Sequence, residues 1–306
     1  MPLGHKHCRY WQPLADNLRR ISEVPAISSQ PSNAASAELT EFLERHGRVS
    51  VLSGAGCSTA SGIPEYRDDE GEWKHARPVQ YADFLASEAV RQRYWARSFA
   101  GWQNVGRARP NRTHTALAEL EDQGFVTALI TQNVDNLHRA AGSQNVIDLH
   151  GVLRVVVCLQ CQRQLDRDDM QDMLALANPD WIAEVSRIAP DGDAHIDPAG
   201  ITRFTVPDCG HCGGLLKPDV VFFGENVPRE RVERSYAALA ESNALLVVGS
   251  SLMVFSGFRF VREAHAAGKP VLIVNRGRTR GDDLATAKIE ADCAEVLGAA
   301  SDLLAA

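Results

Sequence analysis

A chain of 306 residues with 44% hydrophobic and 23% charged side chains has the composition of an ordinary globular protein, long enough for one large domain or a large and a small one. A formal net charge of -7 argues against broad binding to nucleic acid, which needs a basic face for the phosphates. No apolar run has the length of a membrane span, no secretory signal is expected, and seven cysteines, an odd number, speak for a reducing compartment instead of a disulfide framework.

Residues 1–36 combine a short amphipathic stretch at 14–21 with Pro25, Ser28, Ser29, Pro31, Ser32 and Ser36, which predicts a leading helix on a flexible connection outside the main core. Asp16 and Glu23 count against a transit peptide, because such peptides avoid acids. From Glu38 the pattern is helical. Residues 48–53 (RVSVLS) then form a β-branched run ending in Gly54-Ala55-Gly56, which predicts strand, glycine turn and helix. With Ser58, Thr59 and Ser61 such a turn exposes backbone amides at a helix N-terminus, a site for a pyrophosphate, although many parallel-sheet proteins carry Gly-x-Gly turns that bind nothing.

Further strand ends add to this. Residues 126–131 end at Gln132-Asn133-Val134-Asp135, 146–149 at His150, 244–248 at Gly249-Ser250-Ser251 and 271–274 at Asn275. Each run is predominantly apolar, resembling a buried parallel strand, and ends in small or hydrogen-bonding residues. The expected fold is α/β, a doubly wound parallel Rossmann-like sheet with its ligand crevice at these carboxyl ends. A histidine at the end of a buried strand is often only structural, but beside that crevice His150 suits a general base.

Cys158 and Cys161, then Cys209 and Cys212, form two Cys-x-x-Cys pairs. Each pair supplies two thiolates from one tight turn, and Zn²⁺ prefers four sulfurs at a closed structural position. Gly210, Gly213 and Gly214 let backbone amides approach the sulfurs. Core cysteines or a redox dithiol account for one pair, not for a second of equal spacing. Cys8, Cys57 and Cys293 remain.

Residues 54–58 and 62–67, Thr131-Gln132-Asn133-Val134-Asp135, His150-Gly151, the four cysteines, residues 217–225 (KPDVVFFGE) and Gly249-Ser250-Ser251-Leu252 together resemble the signature of the sirtuins, NAD-dependent protein lysine deacylases. The resemblance covers about residues 38–300 in order, and within the family residues 91–97 and 189–193 resemble the class II branch, mitochondrial-type with bacterial relatives. It implies a domain order of an N-terminal extension (1–37), a Rossmann-like NAD-binding domain (38–150 and 218–306) and a small zinc domain (151–217).

The resemblance also implies residue roles. Gly54, Ala55 and Gly56 cradle the NAD pyrophosphate with Arg67 and Ser250, while Gln132 and Asn133 face the nicotinamide ribose and Asp135 holds the carboxamide. Thr59, Pro64, Tyr66, Gly249, Ser251, Asn275 and Cys293 complete the NAD contacts, the last two at the adenosine end. His150 and Asn133 are the catalytic pair, His150 deprotonating a ribose hydroxyl so that the acyl group passes to ADP-ribose. The substrate, an acyl-lysine protein or peptide, lies as an extended strand between Val221, Phe223 and Gly224 on one side and the loop after Ser251 on the other. Tyr94 and Arg97 form a Tyr-x-x-Arg pattern that resembles a binder of carboxylate-bearing acyl groups; the alternative is a solvated helix face carrying the arginines, with Tyr94 and Trp95 packed underneath. Tyr66 stands where phenylalanine is common, Cys57 replaces an aliphatic residue, the 252–256 loop lacks the proline many relatives carry, and the stretch between the cysteine pairs is long. Mono-ADP-ribosyl transfer and an NAD-sensing module are the competing activities. No nucleic acid or membrane partner is expected, and the location is cytoplasmic, or the mitochondrial matrix in a eukaryote.

Overall fold

The computed structural model describes residues 30–306 apart from 67, 69, 71, 73, 75–77, 183–186, 189–193 and 196–197. The helix expected at 14–21, Arg67 and the 189–193 stretch therefore lie outside the described residues. Helix α1 (Gln30–His46) starts well before Glu38, reaching back into the segment read as a connection, and buries Ser36, Leu39 and Leu43. Strand β1 (Val49–Ser53) follows, buried along its whole length as its apolar run requires.

The α-helix expected after β1 is absent. Two 3₁₀ turns, Ala55–Cys57 and Thr59–Ser61, take its place. The Asn111 amide bonds the Cys57 carbonyl at 2.8 Å and the Ser61 hydroxyl at 2.9 Å, so a carbonyl that would receive the next α-turn is already engaged. Gly62, at φ 84°, then ends the second turn.

Helices α2 (Tyr81–Ala86), α3 (Glu88–Val105) and α4 (Arg112–Asp122) lead to β2 (Val126–Thr131), α5 (Leu137–Ala140) and β3 (Val146–Asp148). After a stretch containing β4 (Gly151–Cys158), β5 (Gln164–Asp166), α6 (Arg167–Ala177), β6 (Arg187–Ile188), β7 (Ala194–His195) and β8 (Leu216–Val220), the chain resumes with α7 (Arg229–Glu241) and β9 (Ala244–Val248). Helix α8 (Phe255–Ala266), β10 (Val271–Val274), β11 (Ala287–Ile289) and α9 (Cys293–Leu304) complete it.

The main sheet has the order β3-β2-β1-β9-β10-β11 with every pair parallel. This is the doubly wound arrangement whose strand order reverses at β1 and β9, and the crevice at that reversal is where such sheets bind ligands. One face buries Leu39, Leu117, Leu120 and Leu297 from α1, α4 and α9. The other buries Leu239, Phe260 and Val261 from α7 and α8.

The segment inserted between β3 and α7 forms a smaller antiparallel sheet, β5-β4-β8, which carries the cysteine pairs. Trp95 and Trp102 of α3 pack on it with Met170 and Leu174 of α6. Arg167, nearly inaccessible, stacks its guanidinium 5.5 and 4.8 Å from those two tryptophan rings and donates to the Ser98 carbonyl. A buried cation is tolerated here because both its π partners and its donors are satisfied. Among the described residues no helix is long and apolar enough to cross a membrane.

Candidate active site

Because the large sheet is parallel, β1, β2, β9 and β10 all end at one edge, and the loops that follow them line a cleft of ≈ 790 Å³ that also reaches the smaller sheet through Leu153 and Val220. The glycine turn works by close approach and not, as expected, by offering its glycine amides. Gly54 N donates to Val248 O at 3.0 Å and Gly56 N to Gly249 O at 2.9 Å, so both are already used. A Cβ on Gly54 would stand 2.7 Å from Ser250 Cβ, and one on Gly249, at φ 60°, 2.6 Å from Cys57 N. Glycine is what lets the β1 and β9 loops touch, and the contact forms the floor of the cleft.

The β2 end is tied into the same floor. Gln132 Nε2 donates to Ser250 Oγ at 2.8 Å, and Asn133 Nδ2 donates to Gly54 O and Ser58 Oγ at 3.0 and 3.1 Å. Ser58 Oγ donates to Asp135 Oδ2 at 2.7 Å, and Leu137 N to Asp135 Oδ1 at 2.9 Å. Burial nevertheless holds the Asp135 carboxyl above its ordinary range, because desolvation outweighs these hydrogen bonds. Asn136 takes the left-handed conformation, φ 66°, that turns the chain from Asp135 into α5.

His150 sits in the cleft wall with Nδ1 3.0 Å from Gln132 O and Nε2 2.7 Å from Ser256 Oγ. Its pKa falls to about 4, through burial first and the charges of Arg231 and Arg259 after it. The ring is thus neutral across the physiological range, as a proton acceptor must be. Gly151 next to it has φ 81°, and a Cβ there would lie 1.8 Å from Asp219 O, so the strand that starts after the base can pair with β8 only as glycine.

Val221 N donates to His150 O at 2.8 Å, which places residues 220–227 along the cleft opposite residues 249–256. The turn at Gly224, φ 79°, is braced by Glu225, which accepts from Phe222 N at 2.8 Å and pairs with the buried Lys217 at 3.1 Å. Tyr81 N donates to Phe223 O at 2.8 Å and anchors this turn to α2.

Of the residues singled out in the sequence, Gly54, Ala55, Gly56, Thr59, Pro64, Tyr66, Gln132, Asn133, Asp135, His150, Gly249, Ser250, Ser251, Asn275, Cys293, Val221, Phe223, Gly224 and Tyr94 all line this one cleft. Arg97 does not. Its Nε donates to the Ala194 carbonyl at 3.0 Å, off the described cleft wall, while Tyr94 packs against Phe84, Trp95 and Phe222. Burial pushes the Cys293 thiol up to about 12 and raises that of Cys57 as well, whose Sγ faces Val248 O at 3.3 Å.

Sequence reasoning missed the layer beneath the cleft. His138 Nε2 lies 2.9 Å from Ser53 Oγ, which donates to Thr131 Oγ1 at 2.9 Å, and His114 Nε2 lies 3.4 Å from Ser58 Oγ. These inaccessible histidines lie with ring centroids 4.7 Å apart and planes tilted by 56°, His114 beside Ser58, which holds Asn133 and Asp135, and His138 beside Ser53, which bonds Thr131. The signal for His114 was its place three residues after Asn111, with which it forms a capping box at the start of α4. Arg259, on the cleft wall beside His150, gave no signal because it falls within an amphipathic helix pattern.

The sulfurs of Cys158, Cys161, Cys209 and Cys212 lie within 4.8 Å of one another, with 3.5 Å from Cys158 to Cys212 and 3.8 Å from Cys161 to Cys209. Sulfurs placed tetrahedrally at the usual Zn–S length of about 2.3 Å are about 3.8 Å apart. The four cysteines fit Zn²⁺, and Gly214, where a Cβ would stand 2.9 Å from Cys158 Sγ, leaves the room they need.

Residues 54–256 match the model of the Sir2 family. The chain is 58% identical over 259 residues to the NAD-dependent protein deacetylase of Xanthomonas campestris pv. campestris (strain 8004), covering 85% of this chain and 88% of that protein. A solved structure of Sir2 with p53 peptide and NAD⁺ superposes with a TM-score of 0.69 at 30% identity, over 85% of this chain and 94% of the other. A second, of Sir2 in complex with an inhibitor, 2′-O-acetyl-ADP-ribose and deacetylated p53 peptide, gives a TM-score of 0.67 at 28% identity, over 85% and 95%.

Proposed function

The chain belongs to the Sir2 family, and on that premise we propose that it removes acyl groups from lysine side chains of protein or peptide substrates with consumption of NAD, releasing nicotinamide and O-acyl-ADP-ribose. The observation that carries the reading is the meeting of Asn133, Asp135 and the neutral His150 in one cleft with the Val221–Gly224 backbone. When bound, NAD would supply the electrophile, the C1′ of its nicotinamide ribose, in the part of the cleft lined by Gln132, Asn133, Asp135 and His150.

The protein's part is placement and proton transfer. The contact of Gly54 and Gly56 with Gly249 and Ser250 makes a close-packed floor of glycine backbone and the Ser250 hydroxyl, suited to a pyrophosphate. Asn133 and Gln132, held by Ser58 and Ser250, suit the ribose, and Asp135 suits the carboxamide. His150 Nε2 takes a ribose hydroxyl proton, and burial keeps the base neutral for that step. The turn at Gly224 and the loop at 252–256 offer backbone on both sides of an extended peptide, a mode that tolerates varied sequence. A cytoplasmic location belongs to the same reading, supported by bacterial relatives and by the reducing conditions that thiolate zinc ligands need.

Mass spectrometry of the small products after incubation with NAD and an acetyl-lysine peptide tests this. Nicotinamide and O-acetyl-ADP-ribose in equal amounts are expected. ADP-ribose attached to protein without deacetylated peptide would establish the transferase instead, and appearance of NADH a dehydrogenase.

A further inference from the structure

We propose that Ser256 is a positioning residue for the base, its hydroxyl fixing His150 in one tautomer with Nε2 turned toward the cleft; this rests on the deacylase reading and names a group outside the set assigned above. The carbonyl of Gln132 can only accept, so the His150 nitrogen 3.0 Å from it, Nδ1, carries the proton. In the neutral ring the lone pair is then on Nε2, and the Ser256 hydroxyl, 2.7 Å away, donates to it. Both ring nitrogens are thereby held by groups that complement a single tautomer.

The local packing is built for this contact. Ser256 is the second residue of α8, and the residue after it is Gly257. A Cβ on Gly257 would stand 2.4 Å from Gln132 Oε1 and 2.6 Å from its Cδ. Glycine therefore lets the first turn of α8 close onto Gln132, the residue whose carbonyl holds the other side of the imidazole. The charged groups that act on the ring are Arg231 of α7 and Arg259 of α8, and both oppose its protonation.

This arrangement has a consequence for proton transfer. A ribose hydroxyl reaching Nε2 replaces one hydroxyl by another, so the base meets its substrate with the lone pair already aimed and no ring reorientation. The ribose O–H bond breaks, the Nε2–H bond forms, and the Ser256 oxygen turns from donor to acceptor beside the imidazolium. The hydroxyl oxygen has lone pairs free for that second role.

Ser256→Ala and Ser256→Thr in the full chain test the assignment. Alanine suits a helical position and the threonine keeps the hydroxyl. One readout is the ratio of peptide deacetylation to exchange of labelled nicotinamide into NAD, since exchange reports steps that precede the base. The other is ¹⁵N NMR of the His150 imidazole, which reads tautomer and titration without turnover. For Ser256→Ala we expect the ratio to drop about fivefold to tenfold, the worth of one hydrogen bond. The His150 titration moves up in pH, because a hydrogen bond to the neutral form's lone pair disfavours protonation. Ser256→Thr restores both. Equal loss of exchange and deacetylation, an unmoved titration, or a threonine variant that behaves like alanine overturns the proposal. A wild-type protein that binds NAD but releases no deacetylated peptide would refute the deacylase reading instead, and the NMR result would still decide the role of Ser256.

Discussion

Lowering the pH from about 8 to about 6 should weaken this fold well before its carboxylates titrate, because three histidines are folded in neutral form. Burial brings His114 and His150 to about 4 and His138 well below its ordinary value of 6.5. The sign follows from proton counts: at about pH 6 the unfolded chain holds about three-quarters of a proton at each site and the folded chain almost none, so stability falls with pH across this window. Each histidine withdraws about 0.8 kcal/mol between the two conditions, and the three together about 2.5 kcal/mol, a sizeable part of ordinary domain stability. Asp135, raised by burial, acts in the opposite sense, since the folded state takes up its proton more readily. Urea unfolding followed by tryptophan fluorescence at both pH values, with zinc content measured alongside, gives the difference directly. His138→Gln keeps a donor near Ser53 and removes one titration, so it should reduce the pH dependence by about a third. Equal stability at both pH values with zinc retained would refute the assignment of neutral buried imidazoles.

His150→Tyr should keep the thermal transition and lower deacetylation at least about 100-fold, measured as deacetylated peptide, because the proton acceptor is gone. Cys158→Ala leaves three ligands of the four-sulfur cluster; elemental analysis should show zinc loss and hydrogen exchange should show opening of β4, β5 and β8, with the parallel sheet protected. Gly249→Ala forces a side chain into a left-handed position with a backbone nitrogen at 2.6 Å, which should cost about 1–3 kcal/mol in urea unfolding and weaken NAD binding by calorimetry. Arg97 is bonded to Ala194 O away from the cleft, so Arg97→Met should leave the ratio of kcat/KM for acetyl- and glutaryl-lysine versions of one peptide within about twofold; a reversal would place its guanidinium on the substrate.

The sequence by itself determined the elements that depend on neighbours close in the chain. The apolar runs at 126–131, 244–248 and 271–274 are strands β2, β9 and β10 because a strand buried on both faces is predominantly apolar. Their polar ends share one edge because the strands are parallel, so most cleft residues were legible one strand at a time. The cysteine pairs were legible for the same reason: the ligand chemistry is written in a three-residue spacing. Only the tertiary structure decided how the glycine turn works. Gly54 and Gly56 donate their amides to β9 and its loop, and Asn111, far along the chain, bonds the Cys57 carbonyl where two 3₁₀ turns stand in place of the expected helix. It alone showed that Tyr94 and Arg97, three residues apart on α3, have different surroundings, since the Ala194 carbonyl of β7 accepts a hydrogen bond from the arginine. The hydroxyl on the base, Ser256, and the histidines beneath the cleft come from segments remote in sequence. Hydrogen bonds and burial between remote segments are set by how the sheet and helices pack, and no local pattern of residues encodes that packing.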